Sequence, residues 1–510
     1  MMKSTKIGKD VIESLTMGMY EDSRFIYREY VQNSADQIDA AVESGLLESR
    51  KHGFIEIEIN NSNKTVVILD NATGISVDKA EALLKNIAKS SKDRTKNKGF
   101  RGIGRLGGLG YCGTLEFETS FKGENQSTKL SWDAVKLREI INDRTKQQDA
   151  AAVIDTVTST SYQEVDVNKH FFKVTLKNVR NDLLLNKTEI INYLEMVAPV
   201  PYNKGFIFAH SIHEYAEEKH HEIDTYNVFV NSDPVYKSYT STIYKGEGNT
   251  RKRVSEIIEI QTFELTSKVW GWYSVSQNLT QQIPEEANPA RGIRLRKGNI
   301  QIGGSDCLSR FFSENRFNYY YFGEVHVDNE DLIPNARRDY FVENEALLKF
   351  ENDLEDLFSD KLSKLIRFAS KVKSSSTTIK KLESFVNEYE EKNNQGFSGK
   401  EEKNKYDEEY EELKEKAVKA EDNLKKEEDR LEESSSKKKI FDFITSELKS
   451  EVKQISNKEL NKKTTYLTDS LSKLDRKERK LLSKVFTIID QVLPKDIASN
   501  LKEKIKEEFE

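Results

Sequence analysis

Three stretches of this chain carry groups that could do chemistry. The first, "REYVQNSADQIDA" from Arg28 to Ala40, sets Glu29, Asn33 and Asp36 among apolar residues. On a helix their offsets of four and seven residues bring all three onto one stripe, while Tyr30, Ile38 and the alanines face a core. Such a stripe is either the solvated face of an ordinary amphipathic helix or a polar set turned to a task. The second, "DNATGIS" from Asp70 to Ser76, puts an acid at a strand end before a turn with Gly74. By itself it is a common turn. The third, "KGFRGIGRLGGLGYCG" from Lys98 to Gly113, packs Gly99, Gly102, Gly104, Gly107, Gly108 and Gly110 into twelve residues. Glycines at that density let backbone N–H groups approach a ligand, and a loop opening into a helix presents them to phosphates. A plain flexible loop is the other reading. The stretch has neither a P-loop's G-x-x-x-x-G-K-[ST] nor the early strand context of a dinucleotide fingerprint.

The elements around these stretches are legible from periodicity. "FIEIEINNSNKTVVILDN" predicts two strands joined by a polar turn, and "LEFETSFKGENQSTKLSW" predicts another pair, so residues 1–182 read as helices packed on a sheet. Further strands, "YNVFVNSD", "KVWGWYSVS" and "GIRLRKGNIQIGG", predict a second α/β domain over residues 183–345. Residues 346–510 lose strand signals, and 27 of the 40 residues from Lys400 to Lys439 are charged, which leaves room for only a narrow apolar face. Tyr406, Tyr410, Leu413, Ala417, Ala420, Leu424, Glu427 and Leu431 supply one at four-three spacing, a coiled-coil seam interrupted by Glu427.

Composition narrows the classes. A chain of 510 residues exceeds one core, and its net charge of −6 argues against a general nucleic-acid coat while leaving a local basic groove open. Cys112 and Cys307 lie far apart without metal-ligand spacing, so reduced thiols are expected. No apolar run nears the roughly 20 residues that cross a bilayer, and the start has no signal core, so the expectation is a cytoplasmic protein without a membrane.

The order of the three stretches, an E-x-x-x-N-x-x-D helix, an acid-ended strand with a Gly turn and a Gly-rich loop, resembles the nucleotide-binding module of GHKL ATPases. That superfamily holds gyrase, the heat-shock-protein-90 chaperones, histidine kinases, MutL and the MORC proteins. The resemblance implies an α+β fold: a Bergerat-type ATP-binding α/β sandwich, then an α/β transducer domain, then an α-helical coiled-coil region. It also implies ATP and Mg2+ as ligands and ATP hydrolysis as the reaction. On it, Asn33 would hold Mg2+, Glu29 would deprotonate the attacking water, and Asp36 would support that face. Asp70 would accept from the adenine amino group, and Gly74 would let the base lie flat. "LKNIAKSSKDRTKNKGFRGIG" is closest to the chaperone branch, where this segment is a lid. There Lys89, Ser90, Ser91 and Lys92 would reach phosphates, and Gly99, Gly102 and Gly104 would cradle them. "VHVDNEDLIPNARRDYF" is similar to the middle-domain loop of the heat-shock-protein-90 family. That match makes Arg338 the residue that reaches the γ-phosphate, with Asn335 bracing it and Arg337 as the alternative register.

Two positions depart from the pattern: Ala72 replaces the first glycine of D-x-G-x-G, which predicts a reshaped turn, and Phe171 and Phe172 replace a Gly-Thr pair. "GIRLRKGNIQIGG" predicts Ile293 and Leu295 inward with Arg294 and Arg296 outward, giving with Arg291 a basic strand edge for nucleic acid or an acidic partner, or merely a solvated face. His213, His220 and His221 cluster without a ligand pattern. The whole reads as an ATP-driven clamp whose seam pairs a homodimer. A protein client or DNA is its open target, with a phosphotransfer kinase disfavoured because no histidine precedes Glu29.

Overall fold

The structure is a computed structural model that describes residues 7–16, 22–87, 102, 104–145, 147–433, 435–446, 448, 464–471 and 473–509. The chain divides into two compact units, residues 1–276 with 281–363, and residues 277–280 with 364–510.

The first unit holds two sheets. Strands β1 (Phe54–Asn60), β2 (Thr65–Asp70), β3 (Thr114–Ser120), β4 (Gln126–Asp133), β5 (Thr158–Glu164), β6 (Phe171–Lys177), β7 (Asn227–Val230) and β8 (Asp233–Pro234) form an eight-stranded sheet in the order β5-β4-β3-β6-β2-β1-β7-β8. The β1 and β2 hairpin pairs Ile57 with Ile68, and alternation buries Ile55, Ile57, Val66 and Ile68 against helix α2 (Phe25–Glu43). The sheet does not stop at residue 182: β7 adds itself parallel to β1, with Ile55 opposite Val228. The second sheet joins β9 (Thr242–Lys245), β10 (Lys252–Leu265), β11 (Val269–Ser276), β12 (Gly292–Lys297), β13 (Ile300–Ile302) and β14 (Phe322–Val327) in the order β13-β12-β14-β11-β10-β9. One apolar core runs through both sheets, from Ile26 and Val31 of α2 to Trp270, Trp272 and Phe322.

Strand β12 is where expectation and structure part. Arg294 and Arg296 were expected outward as a basic edge, yet β12 lies between β13 and β14 and both arginines are buried. Arg294 donates to the Pro289 and Arg291 carbonyls, whereas for Arg296 the cause is Glu324, which sits on β14 with no exposure. Its carboxylate accepts from Tyr202 Oη at 2.6 Å, Lys237 Nζ at 2.9 Å and His326 Nε2 at 3.0 Å, and pairs with Arg296 Nε. Burial by itself would raise the Glu324 carboxyl, but Arg296, Lys237 and His326 outweigh it and hold it well below the usual range. The second guanidinium arm of Arg296 donates to the Met196 carbonyl at 2.9 Å, at the end of helix α6 (Lys187–Val197). A strand alternation that looks solvated is therefore a buried ion cluster tying β12 and β14 to α6.

The second unit is helical among the described residues. Helix α9 (Ser363–Gln395) packs on α10 (Lys400–Glu428) through Leu382, Phe385, Val386 and Tyr389 against Tyr406, Tyr410, Leu413 and Ala417. The seam expected to pair subunits is thus filled within the chain. Its charged interruption is answered too: Glu427 accepts from Lys371 of α9 at 2.6 Å. Two shorter helices follow near the C-terminus, Arg476–Val492 and Lys495–Phe509. No helix among the described residues is long and apolar enough to cross a membrane.

The ion cluster yields a pH signature. Burial lowers the His326 pKa from 6.5 to about 4, so between those values the unfolded chain takes up a proton that the folded one refuses. Stability should therefore fall as pH drops through that window, by about 2 kcal/mol between roughly pH 6.5 and 4.5. All three tryptophans, Trp132, Trp270 and Trp272, lie in the first unit, so their fluorescence reports its unfolding alone. Urea midpoints of the parent and of His326→Gln should diverge most at neutral pH and converge toward pH 4.5. Parallel curves would refute the assignment.

Candidate functional site

The site is organised by α2. Its N-terminus is set by Asp22, whose carboxylate accepts the Arg24 amide N–H at 2.9 Å and pairs with the Arg24 guanidinium at 3.0 Å. The helix is buried nearly all round rather than on one stripe: Glu29, Gln32, Ser34 and Asp36 are as enclosed as Tyr30 and Ile38. That excludes the solvated-face reading. Four charged or polar side chains in a core demand partners or a ligand.

Glu29 finds its partner from the distant loop. Its Oε1 lies 3.2 Å from Arg338 Nε and 3.8 Å from the Arg28 guanidinium, and only 7% of the residue is exposed. Arg338 itself is 8% exposed and sits at a φ of +58°, a left-handed conformation that costs a non-glycine residue about 1–2 kcal/mol. The loop supports this strain: the Gly303 amide donates to the Arg338 carbonyl at 2.8 Å, and the Asn335 amide pairs with the Asp339 carboxylate. Asn335 thus braces the loop, and its carbonyl accepts the Arg338 amide N–H at 3.2 Å. Arg337 is exposed, and its carbonyl accepts from Arg28 at 3.5 Å.

The glycine-rich stretch packs on the same helix. Residues Gly104–Gly110 form a 3-10 segment in which a Cβ on Gly104 would overlap Glu29 Oε2, one on Gly107 would meet Phe25 at 2.7 Å, and one on Gly108 would meet Tyr30 Oη at 2.6 Å. Gly107 and Gly108 thus serve helix packing. Gly104 is the position where the backbone comes over the carboxylate. Gly102 has a φ of +69°, so its backbone also needs glycine. Lys89, Ser90, Ser91, Lys92 and Gly99 lie outside the described residues.

At the other end, Asp70 closes β2 with 1% exposure. One of its oxygens accepts from Ser34 Oγ at 2.6 Å and the other from the Ala72 amide at 3.1 Å, so the Ser34 hydroxyl ties the acid to α2. Gly74 has a φ of +65°, and a Cβ there would overlap the Ser120 carbonyl oxygen. Ala72, expected to distort the turn, is not among the residues with positive φ, so it costs no strain. Thr119, which the sequence did not single out, accepts the Ile75 amide at 2.8 Å and donates to the Phe171 carbonyl at 3.1 Å. Phe172 stacks on Phe117 at 6.0 Å. Ser34 and Thr119 were missed because nothing local marks a hydroxyl that bonds a strand 36 or more residues away.

Asn33 is half-buried midway along the stripe from Glu29 to Asp36. Among the described residues no group of three His, Cys, Asp or Glu side chains could hold a metal ion. An octahedral Mg2+ fits such a place only by taking the Asn33 oxygen and filling its remaining positions from phosphates and water. His221 instead bonds Asp328 at 2.7 Å and stacks on Trp270 at 4.9 Å.

Residues 22–170, which carry Glu29, Asn33, Asp36, Asp70, Gly74 and the Gly104–Gly110 segment, match the family model described as Histidine kinase-, DNA gyrase B-, and HSP90-like ATPase. The match supports the GHKL ATPase superfamily for this segment and a nucleotide-binding function for it. No curated protein matches the chain.

The position of Gly104 gives a direct test. Gly104→Ala should push the Glu29 carboxylate aside and slow hydrolysis by about 10- to 100-fold, the scale of a 1 Å misplacement, while nucleotide affinity changes little. Turnover assays beside calorimetric titration with a non-hydrolysable analogue check it. An equal loss of affinity would show that Gly104 serves binding.

Proposed function

We propose that this chain is an ATP-hydrolysing conformational switch in which an arginine of the transducer region completes the catalytic centre. The observation that carries the reading is the approach of Arg338 to Glu29, 309 positions apart in sequence and 3.2 Å apart in space. In this reading Glu29 orients and deprotonates the attacking water, and Asn33 holds Mg2+, which supplies charge neutralisation to the phosphates when bound. Asp70 accepts from the adenine amino group while Ser34 and the Ala72 amide fix its orientation. Gly74 keeps the backbone flat against the base.

Arg338 then has two places to be. Without nucleotide it neutralises Glu29 and holds the base in an ion pair. With a γ-phosphate in reach it swings to the phosphate, which frees Glu29 to take a proton and stabilises charge in the transition state. The left-handed backbone at Arg338 favours such a two-position residue, since strain held by neighbours marks switch regions. Arg338→Ala should bind ATP nearly normally and hydrolyse it on the order of a thousandfold more slowly, whereas Arg337→Ala should lose far less. Single-turnover hydrolysis measures both. If the exposed Arg337 matters more, the catalytic register belongs one residue earlier.

The residues that favoured DNA as a target, Arg294 and Arg296, are buried, so a clamp on a protein client is the reading kept here. A homodimer remains part of the proposal through a different surface. Leu481, Val485, Ile488 and Val492 repeat at four-three spacing along one helix and stay 66%, 37%, 56% and 71% exposed, an apolar seam suited to a second copy. Leu481→Asp with Ile488→Asp should convert a dimer to a monomer in light scattering. A monomeric parent at micromolar concentration would remove the dimer from the model.

A further inference from the structure

A cavity of about 550 Å³ opens between the start of α2, helix α6, the β12–β13 hairpin and the loop of Arg337 and Arg338. It is not the place where Asp70 and Gly74 act: neither of them, nor Asn33 or Gly104, lines it. Arg28 does, and standing one residue before Glu29 it points about 100° round the helix.

The lining is strongly cationic. Arg24, Arg28, Arg294, Arg337 and Arg338 face the space, with two carboxylates, Asp22 and Asp339, to oppose them. Both acids are already engaged, Asp22 by Arg24 at 3.0 Å and Asp339 by the Asn335 amide. Arg294 is only 6% exposed and donates to the Pro289 and Arg291 carbonyls at 2.7 and 3.0 Å, but its Nε has no partner. Burial lowers its pKa to about 10, and no acid stands among the groups that act on it. Gln301, 3% exposed, spends its amide N–H on the Gly303 carbonyl at 2.9 Å and leaves Oε1 without a partner. A buried guanidinium without a counter-charge is costly, and a bound anion relieves that cost. Phe25, Tyr193 and Met196 give the cavity an apolar wall, and its volume is in the range of small-ligand sites.

We propose that this cavity binds a small phosphate-bearing anion, held by Arg28, Arg294 and Arg337, and that its occupancy draws Arg338 away from the hydrolytic centre. Free phosphate and a phosphate ester of nucleotide size offer the same chemistry to these arginines. The binding half rests on the cavity alone. The regulatory half rests on the reading of Glu29 and Arg338 as hydrolytic residues.

The test separates the two halves and the two sources. The full chain carrying Asp70→Asn, to disable adenine recognition, is titrated calorimetrically with inorganic phosphate, pyrophosphate and AMP. Saturable binding is expected, weakened at least tenfold by Arg294→Gln and by Arg337→Glu. The second substitution is on an exposed side chain, so it keeps the result readable if the first fails to fold. Inorganic phosphate binding as tightly as AMP identifies the hydrolysis product as the occupant, and AMP binding more tightly identifies an ester. No saturable binding of any probe, or binding indifferent to Arg337→Glu, overturns the site. With the unmutated chain, bound inorganic phosphate, which has no adenine to compete at Asp70, should lower kcat for ATP severalfold without raising KM, and Arg337→Glu should abolish that response. A bound probe that leaves kcat untouched overturns the regulatory half only.

Discussion

Much of the first unit depends on one buried carboxylate. Glu324 has no exposed surface, and it is reached by Arg296, Lys237, His326, Tyr202 and Tyr239. An isolated carboxylate in such a place would cost several kcal/mol, and leaving its cations unpaired costs about 3–5 kcal/mol, a large share of a stability of roughly 5–15 kcal/mol. The cluster is therefore all-or-none. Burial drives Lys237 down to about 7, with Arg296 pushing the same way and Glu324 opposing, so the charges are balanced only with every member in place.

That balance sets where the functional residues stand. Arg296 reaches from the cluster to the end of α6 through the Met196 carbonyl, and α6 packs on α2, the helix that bears Glu29. On the other side, β12 runs into β13, whose following residue Gly303 holds the Arg338 carbonyl. Glu29 and Arg338 are thus suspended between two arms of one polar knot. Support on both sides holds Arg338 at a φ of +58°, a conformation that surrounding structure must over-determine.

The glycines of this site serve packing. Gly104 clears the Glu29 carboxylate, Gly107 clears Phe25 and Gly108 clears Tyr30, so the stretch is shaped by the helix it covers as much as by any ligand. A carboxylate enclosed this closely has few rotamers open to it.

Residue order and spacing were enough to name the E-x-x-x-N-x-x-D helix, the Asp70 strand end and the glycine stretch, because each depends on local geometry: helical offset, strand alternation, backbone freedom; the loop of Arg338 was named only by family resemblance. The hairpins of β1 with β2 and of β3 with β4 were legible for the same reason. What tertiary structure decided were the relations that no local pattern encodes. Ser34 locks Asp70, and β7 extends the first sheet across more than 150 intervening residues. Arg294 and Arg296 alternate with Ile293 and Leu295 as a solvated strand would, yet both lie in the interior, Arg296 against Glu324 and Arg294 against the Pro289 and Arg291 carbonyls. The tail seam reads identically whether its partner is another copy or α9 of the same chain, and proximity along the chain chose α9. Periodicity reports which side of an element avoids water. It carries no information on which surface, from how far along the chain, will cover it.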